Sequence, residues 1–137
     1  MDCIFCKIVA GKIPCQKVFE DKAVLAFLDI NPIHKGHTLV IPKKHYDHFM
    51  QMPAEEAGAL FSRVHELAPA VMKAVSADGL NVGLNNYAAA GQAVFHTHVH
   101  LIPRYLGDGL SMWPSGEYGD GEMPLFREKI VGTLKRK

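Results

Sequence analysis

Histidines occupy every second position in one short stretch of this 137-residue chain, and that alternation constrains the fold more than any other feature. His96, His98 and His100 are separated by single apolar or β-branched residues within a run over residues 95–104. Such alternation predicts a half-buried β-strand. Side chains two positions apart on a strand share one face at a spacing of about 6.5 Å, so the three imidazoles are expected side by side.

Three imidazoles on one rigid face are suited to two kinds of chemistry. They can bind a transition metal, or one can attack phosphorus while another protonates the leaving group. A chance or purely structural cluster is the remaining interpretation. Gly91-Gln92-Ala93-Val94 precedes the strand, and the glycine allows backbone to come close to a ligand. This context favours a functional site.

The remaining pattern predicts an α+β fold, with a sheet of about five antiparallel strands and helices on one side. The predicted strands cover residues 17–19, 23–30, 37–42, 80–84 and 95–104. Apolar residues at spacings of three and four predict an amphipathic helix from Pro53 to about Ala77, which Pro69 should kink or split. A terminal helix is expected over residues 125–134, after a Gly-rich linker.

Length and charge narrow the classes of function. A chain of 137 residues predicts a single domain, with a core to about residue 106 and a linker plus helix over residues 107–137. A net charge of +1 predicts neither long nucleic acid nor a membrane surface as a partner. The basic end at residues 135–137 is more typical of a solvated helix terminus. No signal-peptide pattern and an odd number of cysteines, three, predict a cytoplasmic protein with reduced thiols.

Cys3 and Cys6 form a C-x-x-C pair at the start of the chain. Such a pair can be a redox motif, half of a zinc site or two buried thiols. Redox motifs usually follow a strand, and no strand is expected before Cys3. The residues alone support a zinc site and a plain buried pair equally, and Cys15 is isolated from both.

The stretch His96-Thr97-His98-Val99-His100-Leu101-Ile102 resembles the His-φ-His-φ-His-φ-φ motif of the histidine-triad (HIT) nucleotide-binding family, in which φ is apolar. Asp29-Ile30-Asn31-Pro32 and residues 36–45 also match, in the same order, within about the first hundred residues. The resemblance implies a HIT-like fold whose sheets join across a two-fold homodimer. It also implies a hydrolase that cleaves purine nucleoside phosphoramidates or related conjugates at the α-phosphate. Dinucleoside polyphosphate hydrolysis, or nucleotide binding with little turnover, are the alternatives.

The resemblance assigns roles residue by residue. His98 is the nucleophile that forms a nucleotidyl-histidine intermediate, His100 contacts phosphate and protonates the leaving group, and His37 orients the triad. The implied substrate-binding residues are Asp29 for the ribose, Asn85, Gln92 and Ala93 for the phosphate, and Ile4, Phe5, Ile8, Phe27 and Ile30 for an apolar base pocket. For each apolar residue an ordinary core position is equally consistent with the sequence.

Three positions bear on the substrate. Phosphoramidase members of the family carry a hydroxyl residue where this chain has Ala93, which removes one donor to the phosphate. His100 stands where related nucleotidyltransferases have glutamine, which favours hydrolysis over transfer. Pro103-Arg104 is similar to the dinucleoside polyphosphate hydrolase branch.

The resemblance also implies a structural zinc. Some HIT proteins bind zinc through an N-terminal C-x-x-C pair, a histidine beyond the third strand and the first triad histidine, which are Cys3, Cys6, His45 and His96 here. Such a Cys₂His₂ site is closed, so the metal would brace the fold. A metal hydrolase using all three triad histidines is a rival interpretation, but alternate residues of one strand fit facial coordination poorly.

Overall fold

A five-stranded antiparallel sheet organises the chain, whose computed structural model describes residues 2–134. The strands are β1 (Lys17–Glu20), β2 (Val24–Leu28), β3 (Thr38–Pro42), β4 (Gly79–Leu84) and β5 (Val99–Arg104). Their order across the sheet is β1-β2-β3-β5-β4, which leaves β1 and β4 at the edges. The predicted antiparallel α+β architecture is therefore confirmed. The basic residues 135–137 lie outside the described part of the chain.

The central strands β2 and β3 are buried on both faces. Val24 and Ala26 of β2 pack in the core that contains the long helix α2 (Ala54–Ala74). The alternate residues Leu25 and Phe27 pack in a second cluster with Phe5 of the short helix α1 (Ile4–Val9). Helices were expected on one side; α2 covers one face, and α1 lies on the other. This second face carries the histidines.

The helix α2 is continuous through Pro69, so of the two expectations for this residue, a kink or a split, the split is wrong. Pro69 has no N–H, so the carbonyl of His65 lacks its helical partner. Both residues are exposed, and water can bond to this carbonyl instead. The helix ends at Ala74, earlier than Ala77. Its buried residues follow the predicted spacing, and they are Leu60, Val64, Leu67 and Val71.

The triad strand is shorter than predicted, because β5 begins at Val99. Its pairing with β3 runs from Val40 opposite Val99 to Thr38 opposite Leu101. Upstream of this ladder, the N–H and hydroxyl of Thr97 both donate to the carbonyl of Tyr46, at 2.7 and 2.9 Å. Residues 96–98 are therefore held by the segment that follows β3. Only His100 of the three histidines is a strand residue.

The C-terminal helix α3 (Glu122–Leu134) begins three residues earlier than predicted, since Pro124 is tolerated in a first turn. It follows a linker over residues 107–121, which is exposed except at Asp108, and its own side chains are almost all exposed. Within residues 2–134, none of the helices is both long and apolar enough to cross a membrane.

Candidate functional site

Three histidines form one cluster on the α1 side of the sheet. The ring centroids of His98 and His100 lie 4.9 Å apart, and those of His37 and His100 lie 5.2 Å apart. His37 is the residue just before β3. Because β3 pairs with β5, the rings of His37 and His100 are brought together. His96 is turned away and packs edge-on to His45 at 5.0 Å. His98 and His100 therefore form a pair with His37 behind it, while His96 faces the cysteines and is not part of this pair.

The ring of His98 is held in one tautomer. Its Nδ1–H donates to the carbonyl of His96 at 2.7 Å, so the proton is on Nδ1 and Nε2 carries a lone pair. The edge-on ring of Phe5 lies 5.2 Å away on one side. Burial lowers the pKa of His98, which keeps the ring neutral at neutral pH. A neutral imidazole with a bare nitrogen is the form that acts as a nucleophile.

In His37 and His100 the proton lies on Nε2, the nitrogen that is bare in His98. The backbone N–H of Ile33 donates to Nδ1 of His37 at 3.1 Å, which places the proton of His37 on Nε2. That Nε2–H then donates to Nδ1 of His100 at 2.9 Å. The proton of His100 must therefore be on Nε2. His100 therefore carries an Nε2–H donor on a ring whose centroid lies 4.9 Å from that of His98, where Nε2 is bare.

Burial also keeps His37 and His100 neutral. It lowers the pKa of His37, against the attraction of Asp29, whose Oδ2 lies 3.6 Å from Nε2 of His37. The pKa of His100 falls to about 4, chiefly through burial and further through the neighbouring His98 and His37. The free site therefore holds uncharged rings with defined donor and acceptor nitrogens.

The loop between β4 and β5 places Asn85 beside Gly91. Gly91 has φ +92°, and a Cβ at this position would lie 3.7 Å from Nδ2 of Asn85. The N–H groups of Gly91 and Gln92 donate to the carbonyls of Ala88 and Tyr87, at 2.9 and 3.1 Å. These two amides are therefore occupied.

Ala93 follows them in an exposed position, at the rim of a cavity that also borders Cys3 and His45. Within residues 2–134, its N–H has no intramolecular acceptor. This amide is therefore available to a ligand.

Gln92 has partners different from those the sequence suggested. Its side chain is 4% exposed, and its Oε1 accepts from the N–H of Tyr87 at 2.7 Å and lies 3.1 Å from Nδ1 of His48. Its Nε2 donates to the carbonyls of Asp47 and Val94, at 2.6 and 3.0 Å. The amide is saturated by the protein. These bonds hold the loop, in which Tyr87 adopts an unusual φ of +71°.

The five apolar residues assigned to a base pocket divide into two groups. Phe5 and Phe27 are buried against one another with ring centroids 5.5 Å apart, and Ile8 packs on the same cluster. Ile30 is 89% exposed and Ile4 is also exposed. The buried members form the floor of this face, and the exposed isoleucines are free to contact a ligand from outside.

Four potential metal ligands converge at the N-terminus. One ligand atom from each of Cys3, Cys6, His45 and His96 lies within 4.8 Å of all the others. Cys3 Sγ is 3.5 Å from Nδ1 of His96, and Cys6 Sγ is 3.3 Å from Nδ1 of His45 and 3.7 Å from Nδ1 of His96. Tetrahedral zinc, with sulfur at about 2.3 Å and nitrogen at about 2.0–2.1 Å, sets these atoms about 3.5 Å apart. The spacing therefore fits zinc.

The tautomers of the two histidines also fit a metal. Nε2 of His96 donates to the carbonyl of Pro42 at 2.8 Å, and Nε2 of His45 donates to the carboxylate of Asp47 at 2.6 Å. Both Nδ1 atoms are therefore bare towards the thiols. Such outer partners are usual for metal-bound histidines, and sequence reasoning missed Asp47, although it follows His45 by only two residues. Burial and the adjacent Cys3 raise the pKa of the Cys6 thiol, a cost that a bound cation would offset.

The rival site made of all three triad histidines does not form. Nδ1 of His96 faces the cysteines, while Nδ1 of His98 donates to backbone. Among residues 2–134, the groups that could hold a metal are the Cys₂His₂ cluster and a set made of Asp29, His37 and His100. The rings of the triad point in different directions.

A cavity of about 540 Å³ lies beside His100, between the exposed faces of β4 and β5 and the first part of the linker. Residues 110–114 of the linker line one side of this cavity. The lining includes Asn85, Asn81, Ile102, Arg104, Met112 and Trp113. The cavity beside His100 is therefore lined by β4 and the linker as well as by β5.

Comparison with known proteins gives a consistent result. Residues 10–107 match the family described as HIT domain. The chain is 42% identical over 137 residues to adenylylsulfatase HINT3 of Arabidopsis thaliana, covering 98% of this chain and 68% of the relative. It is 41% identical over 137 residues to adenosine 5'-monophosphoramidase hnt1 of Schizosaccharomyces pombe, covering 98% and 100%.

Solved structures agree with these sequence relatives. The structure of a HIT family member from Bacillus subtilis superposes with a TM-score of 0.92 at 42% identity, covering 100% of both chains. A zinc-bound histidine triad protein from Mycobacterium smegmatis superposes with a TM-score of 0.76 at 36% identity, covering 100% of this chain and 99% of the other.

Proposed function

This chain belongs to the HIT family, and from that premise we propose that it is a nucleotide hydrolase acting on adenosine phosphoramidates and related adenylyl conjugates at the α-phosphate. Relatives named as an adenylylsulfatase and as an adenosine 5'-monophosphoramidase support this substrate class. The proposal includes a covalent nucleotidyl-histidine intermediate on His98.

One observation carries the proposal: adjacent rings present opposite functional nitrogens. His98 offers a bare Nε2 because its Nδ1–H is taken by the carbonyl of His96. His100 offers Nε2–H because its Nδ1 accepts from His37. Displacement at phosphorus requires a nucleophile and, beside it, a proton donor.

The first half-reaction transfers the nucleotide to the protein. Nε2 of His98 attacks the α-phosphorus, a P–N bond forms, and the bond from phosphorus to the leaving group breaks. The carbonyl of His96 stabilises the positive charge that develops on the ring of His98. A bound phosphate raises the pKa of His100, since an anion favours the imidazolium, so the ring takes up one proton from solvent when the substrate binds. The Nε2–H of this imidazolium then goes to the leaving group, and His100 is left neutral.

The second half-reaction releases the nucleotide. His100, now neutral, accepts a proton from water as the water oxygen attacks phosphorus. The P–N bond to His98 breaks, its electron pair returns to Nε2, and the nucleoside monophosphate leaves. The same nitrogen of His100 thus gives and then takes a proton, which leaves the enzyme unchanged.

Substrate contacts follow from the groups left free around the two rings. We assign the ribose hydroxyls to Asp29, which is half-buried beside His37, and the phosphate to Asn85 and the free N–H of Ala93. Ile4 and Ile30 are exposed and suited to contact the base, above a floor made by Phe5, Phe27 and Ile8. Gln92 is assigned to holding the loop.

The covalent intermediate can be trapped directly. Adenosine 5'-phosphoramidate labelled at the α-phosphorus is mixed with the protein and quenched in denaturant within one turnover. We expect label on the protein that is stable in alkali and released by acid, as a P–N bond to histidine requires. Turnover without retained label at any quench time would contradict the covalent mechanism, and binding without turnover would indicate a nucleotide-binding protein.

The role of His100 predicts a dependence on the leaving group. We expect His100→Gln to slow hydrolysis of an alkylamine phosphoramidate by about 10²–10³-fold. Adenylyl sulfate, whose sulfate leaves without protonation, should lose much less. Steady-state kcat for both substrates measures the difference. Equal losses would show that His100 only positions the phosphate.

The alternative of dinucleoside polyphosphate hydrolysis receives no support from Arg104. Its guanidinium donates to Asp108 through Nε and Nη2, at 2.7 and 3.0 Å, and to Asn81 at 2.8 Å. A cation paired in this way is not free to hold a polyphosphate chain.

We propose that Cys3, Cys6, His45 and His96 hold one zinc ion per chain, as their spacing and tautomers permit. With no open position, zinc would supply only structural bracing, tying α1 and the segment after β3 to the triad. The zinc-bound relative from Mycobacterium smegmatis supports this assignment.

We also propose a homodimer. The strand β4 lies at an edge of the sheet and exposes Val82, so it could pair with a second copy. Helix α3 exposes several large apolar side chains that a second copy could cover, namely Met123, Leu125, Phe126, Ile130 and Leu134.

A further inference from the structure

Asp108, four residues beyond β5, is the centre of a hydrogen-bond network outside the catalytic cluster. Its side chain is 7% exposed and accepts from Nε and Nη2 of Arg104 and from the N–H groups of Tyr105 and Leu110. The Arg104 guanidinium and these backbone donors hold the pKa of Asp108 far below its usual range. The network is therefore built around a permanent carboxylate.

The same carboxylate reaches the loop between β2 and β3. Oδ2 of Asp108 lies 3.1 Å from Nε2 of His34, whose ring packs edge-on to Tyr105 at a centroid distance of 5.2 Å. The neighbouring residues 30–33 and 35 are exposed. His34 is thus the side chain that fastens the middle of this loop to the segment after β5.

The loop matters because it supplies a backbone donor to His37. Ile33, next to His34, gives its N–H to Nδ1 of His37 at 3.1 Å. This bond sets the tautomer of His37, and the Nε2–H of His37 in turn sets the tautomer of His100. A displacement of about 1 Å at Ile33 would free Nδ1 of His37 to take the proton.

We propose that Asp108 is a positioning residue, which holds His34 so that the Ile33 N–H keeps the proton of His37 on Nε2 and the proton of His100 on Nε2. The contact chain runs from Asp108 through His34 and Ile33 to His37 and His100. The consequence for leaving-group protonation rests on the function proposed above, whereas the effect on the tautomers does not.

The test uses Asp108→Asn in the full chain. In this variant an amide NH₂ takes the place of Oδ2 and faces two groups that are themselves donors, Nε of Arg104 and Nε2 of His34. The bond to His34 is lost, and with it the anchor of the loop. Long-range ¹H–¹⁵N spectra of the imidazoles report which ring nitrogen carries the proton. We expect the Nδ1 and Nε2 shifts of His37 and His100 to move towards averaged values, and kcat for an alkylamine phosphoramidate to fall about tenfold with KM little changed.

Asp21→Asn is the matched control. Asp21 likewise accepts from two backbone N–H groups, of Ala23 and Val24, and from Nε of Arg63 at 2.6 Å. It caps the hairpin of β1 and β2 and, within residues 2–134, makes no hydrogen bond to the loop of His34. This variant should leave the tautomers of His37 and His100 unchanged.

His34→Phe keeps the proposal testable if Asp108→Asn does not fold. Phenylalanine retains an edge-on ring against Tyr105 and removes only the bond to Asp108. It should shift the same imidazole signals. Unchanged tautomers in this folded variant overturn the proposal. Shifted tautomers in a protein that never turns over adenylyl substrates would uphold the positioning chain and overturn the proposed function.

Discussion

Replacing His98 with alanine is expected to reduce turnover of an adenosine phosphoramidate by about 10⁴-fold or more, because the nucleophile is lost. Neither neighbour can replace it. His96 has Nε2 bonded to the carbonyl of Pro42 and Nδ1 facing the cysteines, and His100 carries its proton on the nitrogen next to the substrate. Affinity for the nucleotide product should stay within about tenfold, since little binding surface is removed.

Single-turnover kinetics and equilibrium titration with adenosine monophosphate separate these two effects. His65→Ala is the matched control, because His65 is exposed on α2 and should leave both quantities unchanged. Near-normal turnover by the His98 variant would exclude the covalent mechanism. Loss of both turnover and binding would assign His98 to the binding surface.

Replacing Cys3 with serine is expected to remove the metal and to lower the melting temperature by about 10 °C, for a loss of about 3 kcal/mol. Serine is an informative choice, because Sγ of Cys3 also accepts the N–H of Cys6 as the cap of α1. A serine hydroxyl preserves that cap, so the change isolates the metal ligand. Differential scanning calorimetry and elemental analysis of protein purified without chelator measure the two effects.

Cys15→Ser is the matched control, since Cys15 is a half-buried thiol outside the ligand cluster. It should keep the metal and most of the stability. Cys6→Ser should reproduce the loss seen for Cys3. Zinc far below one equivalent in the parent protein, with freely titratable thiols, would contradict the metal assignment.

The fold could be read from the sequence to a large extent. The apolar runs that became β2 and β3 are continuous because these strands are covered on both faces, and the spacing of Leu60, Val64, Leu67 and Val71 specified α2. The order of motifs also identified the family. The start of β5 was missed, because alternation in sequence says which face a residue takes and not whether a neighbouring strand is there to pair with it.

The sequence predicted which cysteine and histidine side chains come together better than it predicted the hydrogen-bond partners of each group. Cys3, Cys6, His45 and His96 do converge, as the family resemblance implied. The side chain of Gln92, in contrast, is fully occupied by partners within its own loop and by two that only the fold brings near, the ring of His48 and the carbonyl of Asp47. An amide side chain looks the same in sequence whether it faces a ligand or the protein.

The sequence by itself determined which chemical groups are present and which segments carry them: a histidine triad, a C-x-x-C pair and an alternating sheet. Only the tertiary structure decided the state of each group. The carbonyl of His96 fixes the proton of His98, and the N–H of Ile33 fixes that of His37 and, through it, that of His100. His37 and His100 are 63 residues apart in the sequence and meet only in the fold. The two bonds between near neighbours depend on how the backbone turns between them, so a residue pattern does not record where an imidazole proton lies.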